Sequence, residues 1–260
     1  MSARLRRAFS SAWPPGVTVL VLLALWWFVT ANARVPEYVL PAPPAVIESL
    51  VSTWPSRLGP AFAVTAGETL LGLAAGLALA LVVVVAAGLV PVVERALSPL
   101  LIASQAIPVI VIGPLLTIAL GYGIASKVIV VALLCFFPVA LNLLSGIRSV
   151  SLATIGTMRT LNADSRAALF WRVRLPHAIP RGFAGLRISV TFAPVAAVFA
   201  EYSGATDGIG FLMLQAVPRM QTPFVFAQVL VLTAMAAALF GATVLAERIA
   251  CPWAREAGAA

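Results

Sequence analysis

Charge is scarce in this chain. Of 260 residues only 10% are charged, nine are acidic, two are cysteine and one is histidine. Each shortage excludes a class of protein. A soluble domain carries about 25% charged residues, so a water-soluble globule of ordinary architecture is ruled out. Cys135 and Cys251 are too few for a disulfide scaffold. With a single histidine, His177, no His/Cys metal cluster is expected, and no cofactor. The chain contains neither H-E-x-x-H nor G-x-S-x-G and no pair of aspartates in an apolar run, so no catalytic residue is expected. What remains is apolar: 62% of residues are hydrophobic and the mean hydropathy is +1.04.

A charge at mid-bilayer costs about 3 kcal/mol on insertion scales, so the gaps between charges map the spans. Nothing charged lies between Arg7 and Arg34, Glu68 and Glu94, Arg95 and Lys127, Lys127 and Arg148, or Arg219 and Glu247. Each gap holds the ~20 residues that cross a ~30 Å core. A sixth span, 182–202, carries Arg187 one turn in, where its stem can snorkel, and Pro194, which should kink it. The expected fold is therefore all-α, an integral membrane protein of about six transmembrane helices at 15–31, 61–90, 97–120, 127–147, 182–202 and 224–246. Residues 1–14 form a cytoplasmic N-terminus, 15–247 a single membrane domain, and 248–260 a cytoplasmic tail.

With both termini inside, Arg4, Arg6, Arg7, Arg95, Arg148, Arg159, Arg166, Arg172, Arg174, Arg181, Arg187, Arg248 and Arg255 are cytoplasmic, leaving Arg34, Arg57, Lys127 and Arg219 outside. This positive-inside bias accounts for the net charge of +8 without nucleic acid as a partner. A competing reading of the N-terminus is a cleavable signal peptide: Arg4 to Arg7, an apolar run from Val17 to Val29, and an A-x-A site at residues 31–33. Prolines crowd residues 32–60, which read as an outer-face loop with one short surface helix around 45–53.

Residues 148–181 form the only long cytoplasmic loop, with six arginines and one acid. Ser151 suits the cap of a first helix ending near Leu161, Asn162 suits a tight turn, and Asp164 or Ser165 suits the cap of a second. Pro176 disfavours helix at Leu175 and should stop that second helix. Leu169, Phe170 and Val173 gather on one side of it, while Trp171 and Arg172 point elsewhere. The spacing predicts a short amphipathic docking helix held between two spans.

The wording of this loop carries a resemblance. MRTLNADSRAALFWRVRLPHAIPRGFAGLRISV, from Met158, resembles the EAA-type signature of bacterial ABC importer permeases, with Arg159, Thr160, Leu161, Ala163, Leu175, Pro176, Pro180, Gly185 and Leu186 in register. Two positions depart: the family's acid falls on Gly156 and its turn glycine on Asn162. Residues 104–123, 136–150 and 201–213 resemble successive blocks of the nitrate/sulfonate/taurine-type permeases. TAGETLLGL, with Glu68, together with Gln105 and the closing ER and PW, is most similar to members linked to pyrimidine-type vitamin precursors. The resemblance implies a type I permease in a bacterial inner membrane, paired with a second copy as a homodimer. It also implies two ABC ATPase copies and a periplasmic or lipid-anchored solute-binding protein. Residues 159, 161–164, 169, 170, 173, 175, 176 and 180 would couple to the ATPase. The solute would be such a precursor or, alternatively, a sulfonate, taurine or nitrate.

The chain itself lacks a nucleotide site. GYGIASK, residues 121–127, has Ser126 where a P-loop needs glycine, so hydrolysis must belong to another subunit. A secondary transporter would need inverted repeats and several buried titratable groups. Glu68 is the only acid placed well inside a span. It is the candidate for the translocation path, with Gln105 beside it in the expectation. Asn142 and Ser145 read as interhelical glue, residues 206–210 as a tight outer turn, and the glycines at 72, 76, 113 and 185 as points of close helix packing.

Overall fold

A chain this apolar has one way to satisfy its backbone in hydrocarbon without a closed barrel, and that is helix. The computed structural model describes residues 3–32, 35–104, 108–160 and 165–253, and among these there is helix and no strand. The helices are α1 (Ala3–Asn32), α2 (Pro43–Thr53), α3 (Gly59–Leu89), α4 (Pro91–Ser104), α5 (Val109–Leu120), α6 (Ile124–Arg148), α7 (Leu152–Thr160), α8 (Arg166–Leu169), α9 (Leu175–Tyr202), α10 (Ile209–Ala216) and α11 (Thr222–Ala250). Among the described residues four continuous helical stretches are long and apolar enough to cross a membrane: Pro43–Leu89, Ile124–Arg148, Arg166–Tyr202 and Thr222–Ala250. Gly16–Asn32 and Val111–Leu120 are shorter apolar helices.

Three sequence expectations need correction. The stretch 97–120 is not one helix. Pro108 stands in extended conformation at the start of α5, and proline, lacking an N–H and crowding the residue before it, separates α5 from α4. The short helix expected around 45–53 is present as α2, but no loop follows it, because a π-helical turn, Trp54–Leu58, carries it straight into α3. Likewise Pro176 does not stop the loop's second helix. Another π turn, Phe170–Arg174, joins α8 to α9.

Both π turns are followed by the same device. Gly59 N–H bonds Trp54 O ahead of Pro60, and Leu175 N–H bonds Phe170 O ahead of Pro176. A proline in an α ladder clashes with the carbonyl four residues back and leaves it unpaired. Widening the preceding turn by one residue shifts that register, so helix continues where propensity alone would end it.

The chain divides into two compact units. In the first, residues 1–59 with 213–230, the Trp26 indole N–H donates to Pro41 O at 3.1 Å, and the Trp26 ring lies 5.9 Å from Phe226. Thr222 donates to Tyr38 O, and the Arg57 guanidinium covers the Phe224 ring at 4.9 Å. In the second, residues 60–212 with 231–260, α6 and α9 are the central pair. Gly146 meets Ala178, Gly182 meets Leu143, Gly185 meets the Pro138 carbonyl and Ser189 donates to Cys135 O. Rising numbers on α9 against falling numbers on α6 make the pair antiparallel. A Cβ on Gly146 would sit 2.7 Å from Ala178 Cα, so only glycine permits this approach. α3 runs parallel to α6, Gly72 facing Val131 and Gly76 facing Ala132 and Cys135.

Candidate functional site

Two clusters in the second unit combine polar chemistry with an unusual backbone, one at each end of α3. At the N-terminal end, Thr65 and Glu68 lie one turn apart on α3 and are fully covered. The Thr65 hydroxyl donates to Glu201 Oε1 at 2.6 Å and accepts from Ile209 N–H at 2.9 Å. Glu201, at the end of α9, accepts at its other oxygen from Gly210 N–H. The turn 203–208 therefore wraps a carboxylate and presents to it the Gly210 N–H in the first turn of α10, the ordinary place for an anion at a helix start. Gly208, at φ +107°, leaves no room for a Cβ, which would collide with the Glu201 carboxyl. Lys127, from α6, completes the cluster: its ammonium is 3.9 Å from Glu68 Oε1 and donates to Tyr122 O at 2.9 Å.

Glu68 is 2% exposed and Glu201 is not exposed at all. The Glu68 carboxyl is thus covered by the chain's own atoms rather than presented to a cavity. Gln105, the second candidate for the path, lies outside the described residues. Sequence reasoning missed Thr65, Lys127 and Glu201. Lys127 was read as a charge marking the outer boundary and Glu201 as the end of a span, yet both are buried. The available signal was an in-span acid and a lysine at the start of a later span, since isolated buried charges are rare.

At the other end of α3 lies the loop 148–181. Ser151 and Ser165 cap α7 and α8, accepting from Thr154 N–H at 3.1 Å and Ala168 N–H at 3.0 Å. Arg159 falls within α7, while Leu161, Asn162, Ala163 and Asp164 lie outside the described residues. Leu169, Phe170 and Val173 share one side, and that side is turned inward. Phe170 is 0% exposed and packs in a hydrophobic core with Val84, Ala87, Leu143 and Ile147. Its ring fills the space a Gly88 side chain would need, and Arg166 Nε donates to Gly88 O at 3.1 Å. Leu175 packs against the same core, while Pro176 and Pro180 lie in the first turns of α9. The outward residue is Trp171, 52% exposed, with its ring 5.1 Å from Phe170 in an edge contact. An apolar i, i+1, i+4 stripe thus marks the face that anchors this helix to its own chain.

A fringe of charge surrounds the joint. Glu94 on α4 takes Arg148 Nε at 3.0 Å through one oxygen and stands 3.7 Å from Arg166 Nη2 through the other. His177 Nε2 lies 3.2 Å from Ser149 Oγ, and Arg181 donates to Ser145 O. Arg187, the charge inside the 182–202 stretch, is paired with Glu247 at 2.7 Å. Among the described residues no group of His, Cys, Asp and Glu side chains is arranged to hold a metal.

Long apolar helices packed through small-residue contacts define a polytopic helical membrane protein. Residues 72–250 match the family described as "Binding-protein-dependent transport system inner membrane component", and the chain belongs to that family. It is 37% identical over 226 residues to a "Probable ABC transporter permease protein" of Haemophilus influenzae, covering 87% of this chain and 91% of that one. It is 33% identical to the "Formylaminopyrimidine transport permease protein ThiX" of Halalkalibacterium halodurans, covering 92% and 95%. To the "Taurine transport system permease protein TauC" of Escherichia coli it is 32% identical, covering 91% and 88%. The chain is an ABC transporter permease subunit of binding-protein-dependent import, and the secondary-transporter alternative falls away.

Proposed function

We propose that this permease imports a pyrimidine-type vitamin precursor across a bacterial inner membrane. It works as a homodimer over two ATPase copies and receives its solute from an external binding protein. Both termini are cytoplasmic, so the Thr65 end of α3 faces outward and the Gly88 end inward. The observation that carries the reading is the joint at 148–181, where an arginine-rich helix is anchored through Phe170 beneath Gly88 and presents Trp171 and Arg172 away from the core.

On this reading Trp171 and Arg172, with the 86% exposed Leu152 that opens α7, form the face that meets the ATPase. ATP binding draws the docked helix, and because the chain is helical without a break from Arg166 to Tyr202, the displacement passes along α9 to its outer end. Hydrolysis belongs to the ATPase subunit, since this chain has no phosphate-binding loop.

Support for the substrate class comes from the 33% identity to the formylaminopyrimidine permease and from the TAGETLLGL segment around Glu68. The 32% identity to a taurine permease favours the second reading, a small sulfonate. Calorimetric titration of the partner binding protein with formylaminopyrimidine and with taurine tests the choice. Saturable heat with the pyrimidine and none with taurine is the expected result, and the reverse replaces the first reading by the second.

A further inference from the structure

The first unit carries a polar group that no contact within the chain satisfies. Gln228, on α11, is 0% exposed, and among the described residues neither its amide oxygen nor its amide nitrogen has a hydrogen-bond partner. An unpaired amide buried in an apolar helix is costly, and methionine would fill nearly the same space without that cost. Its donor and its acceptor are left for a partner from outside the chain.

The turns of α11 around Gln228 show which side such a partner would use. Thr222 and Phe226 lie one turn apart on one side of the helix, and both are engaged. Thr222 donates to Tyr38 O at 2.8 Å, and the Phe226 ring lies 5.9 Å from Trp26. Phe224 and Gln228 also lie one turn apart, on the opposite side. There the Phe224 ring is covered by the Arg57 guanidinium, 4.9 Å from its centroid. Arg57 is half-buried, comes from the π turn Trp54–Leu58, and takes part in no ion pair among the described residues. A cation on a phenyl face and a heterocycle stacked on it are worth similar amounts, so a flat heteroaromatic ring can replace Arg57 at small cost. From that ring to the amide is one helical turn, about 6 Å of rise.

A carboxamide offers an acceptor and a donor side by side in one plane. This matches a ring nitrogen beside an exocyclic N–H, the pattern by which glutamine reads adenine. A sulfonate group has acceptors only and would leave the amide oxygen unpaired. We propose that Phe224 and Gln228 form a recognition site for the edge of an aminopyrimidine, with Arg57 as its displaceable cover. The inference rests on the pyrimidine reading above and adds to it the residues that select the ring. In this conformation the site is shut, with Arg57 on the stacking face and Gln228 sealed. When the cover lifts, the solute's exocyclic N–H donates to Gln228 Oε1 and its ring nitrogen accepts from Nε2.

ATP-driven uptake into proteoliposomes tests the site, with the full-length permease, its ATPase and each probe presented on saturating binding protein. The probes are formylaminopyrimidine and its pyridine analogue, with C–H in place of the ring nitrogen beside the exocyclic N–H. A bidentate pair discriminates by about tenfold or more, so wild type should take up the pyrimidine about tenfold faster than the analogue. Gln228→Met should take up both at similar rates and melt at a higher temperature than wild type, since it removes an unsatisfied amide. A preference that persists in Gln228→Met overturns the site, and so does a melting temperature below wild type, which would give the amide a structural partner. Equal uptake of the two probes by wild type overturns the site alone. Wild type that imports neither probe overturns the pyrimidine reading and the site with it.

Discussion

Where α3 begins, its neighbours are buried charges, with Thr65 and Glu68 set against Glu201 and Lys127; where it ends, they are a phenyl ring under Gly88 and an exposed fringe of Glu94, Arg148 and Arg166. The first contact depends on direction and distance. The groups are buried, and a displacement of an ångström or two leaves charge unpaired in a medium without water. The second is apolar at its centre and tolerates sliding, because a ring against a glycine loses little on a small shift. A helix fastened in these two ways is suited to take displacement at the Gly88 end gradually and to release at the Thr65 end all at once.

The largest effect should come from removing the buried hub. Glu201→Ala leaves the Thr65 hydroxyl and the Gly210 N–H without their shared acceptor, and truncating one partner of a buried charge network costs about 3–5 kcal/mol. The protein should lose its monodisperse peak in detergent size-exclusion and melt well below wild type. A melting temperature within a degree or two of wild type would mean that this end of α3 is held by something other than charge.

Next in size is the apolar joint, where two adjacent residues should behave in opposite ways. Phe170→Ala empties a fully buried site and should destabilise by about 3 kcal/mol, and Phe170→Asp should do more, since a carboxylate would replace the ring in the core. Trp171→Ala, one position on, removes an exposed side chain and should leave the melting temperature nearly unchanged while the ATPase no longer copurifies. If instead Phe170→Asp folds normally and loses the ATPase, the inward and outward faces of the helix have been assigned the wrong way round.

That reversal shows what the sequence made legible. The gaps between charges located the apolar helices, and serine caps and an arginine-rich loop located the joint, because insertion energies and helix ends are local properties. Whether Leu169, Phe170 and Val173 face the chain or a partner is not local: an apolar stripe is the same stripe in either case, and only the glycine at 88, eighty-two residues before the ring, decides it. Pro60 and Pro176 misled for a related reason. Their ordinary effect is to end helices, and the π turns that absorb them are set by the continuity of the packed rods. Lys127 and Glu201 were read as boundary charges because a sequence shows how far a charge lies from the next, not that four elements converge on it.

The smallest effect separates stability from transmission at the Gly88 end. Glu94 is paired with Arg148 and Arg166, but its side chain is 25% exposed and theirs are 49% and 38%. Exposed pairs contribute about 0–1 kcal/mol and are screened by salt, so Glu94→Ala should shift the melting temperature by little, and by less still at high ionic strength. Its position nonetheless ties α4 and the end of α6 to the first residue of α8. If that tie keeps the joint aligned, reconstituted vesicles should show ATP hydrolysis continuing while solute uptake per ATP falls, a split that lost folding cannot produce. An unchanged ratio would assign alignment to Phe170 and the Arg166–Gly88 hydrogen bond alone, leaving the charged fringe as solvated surface.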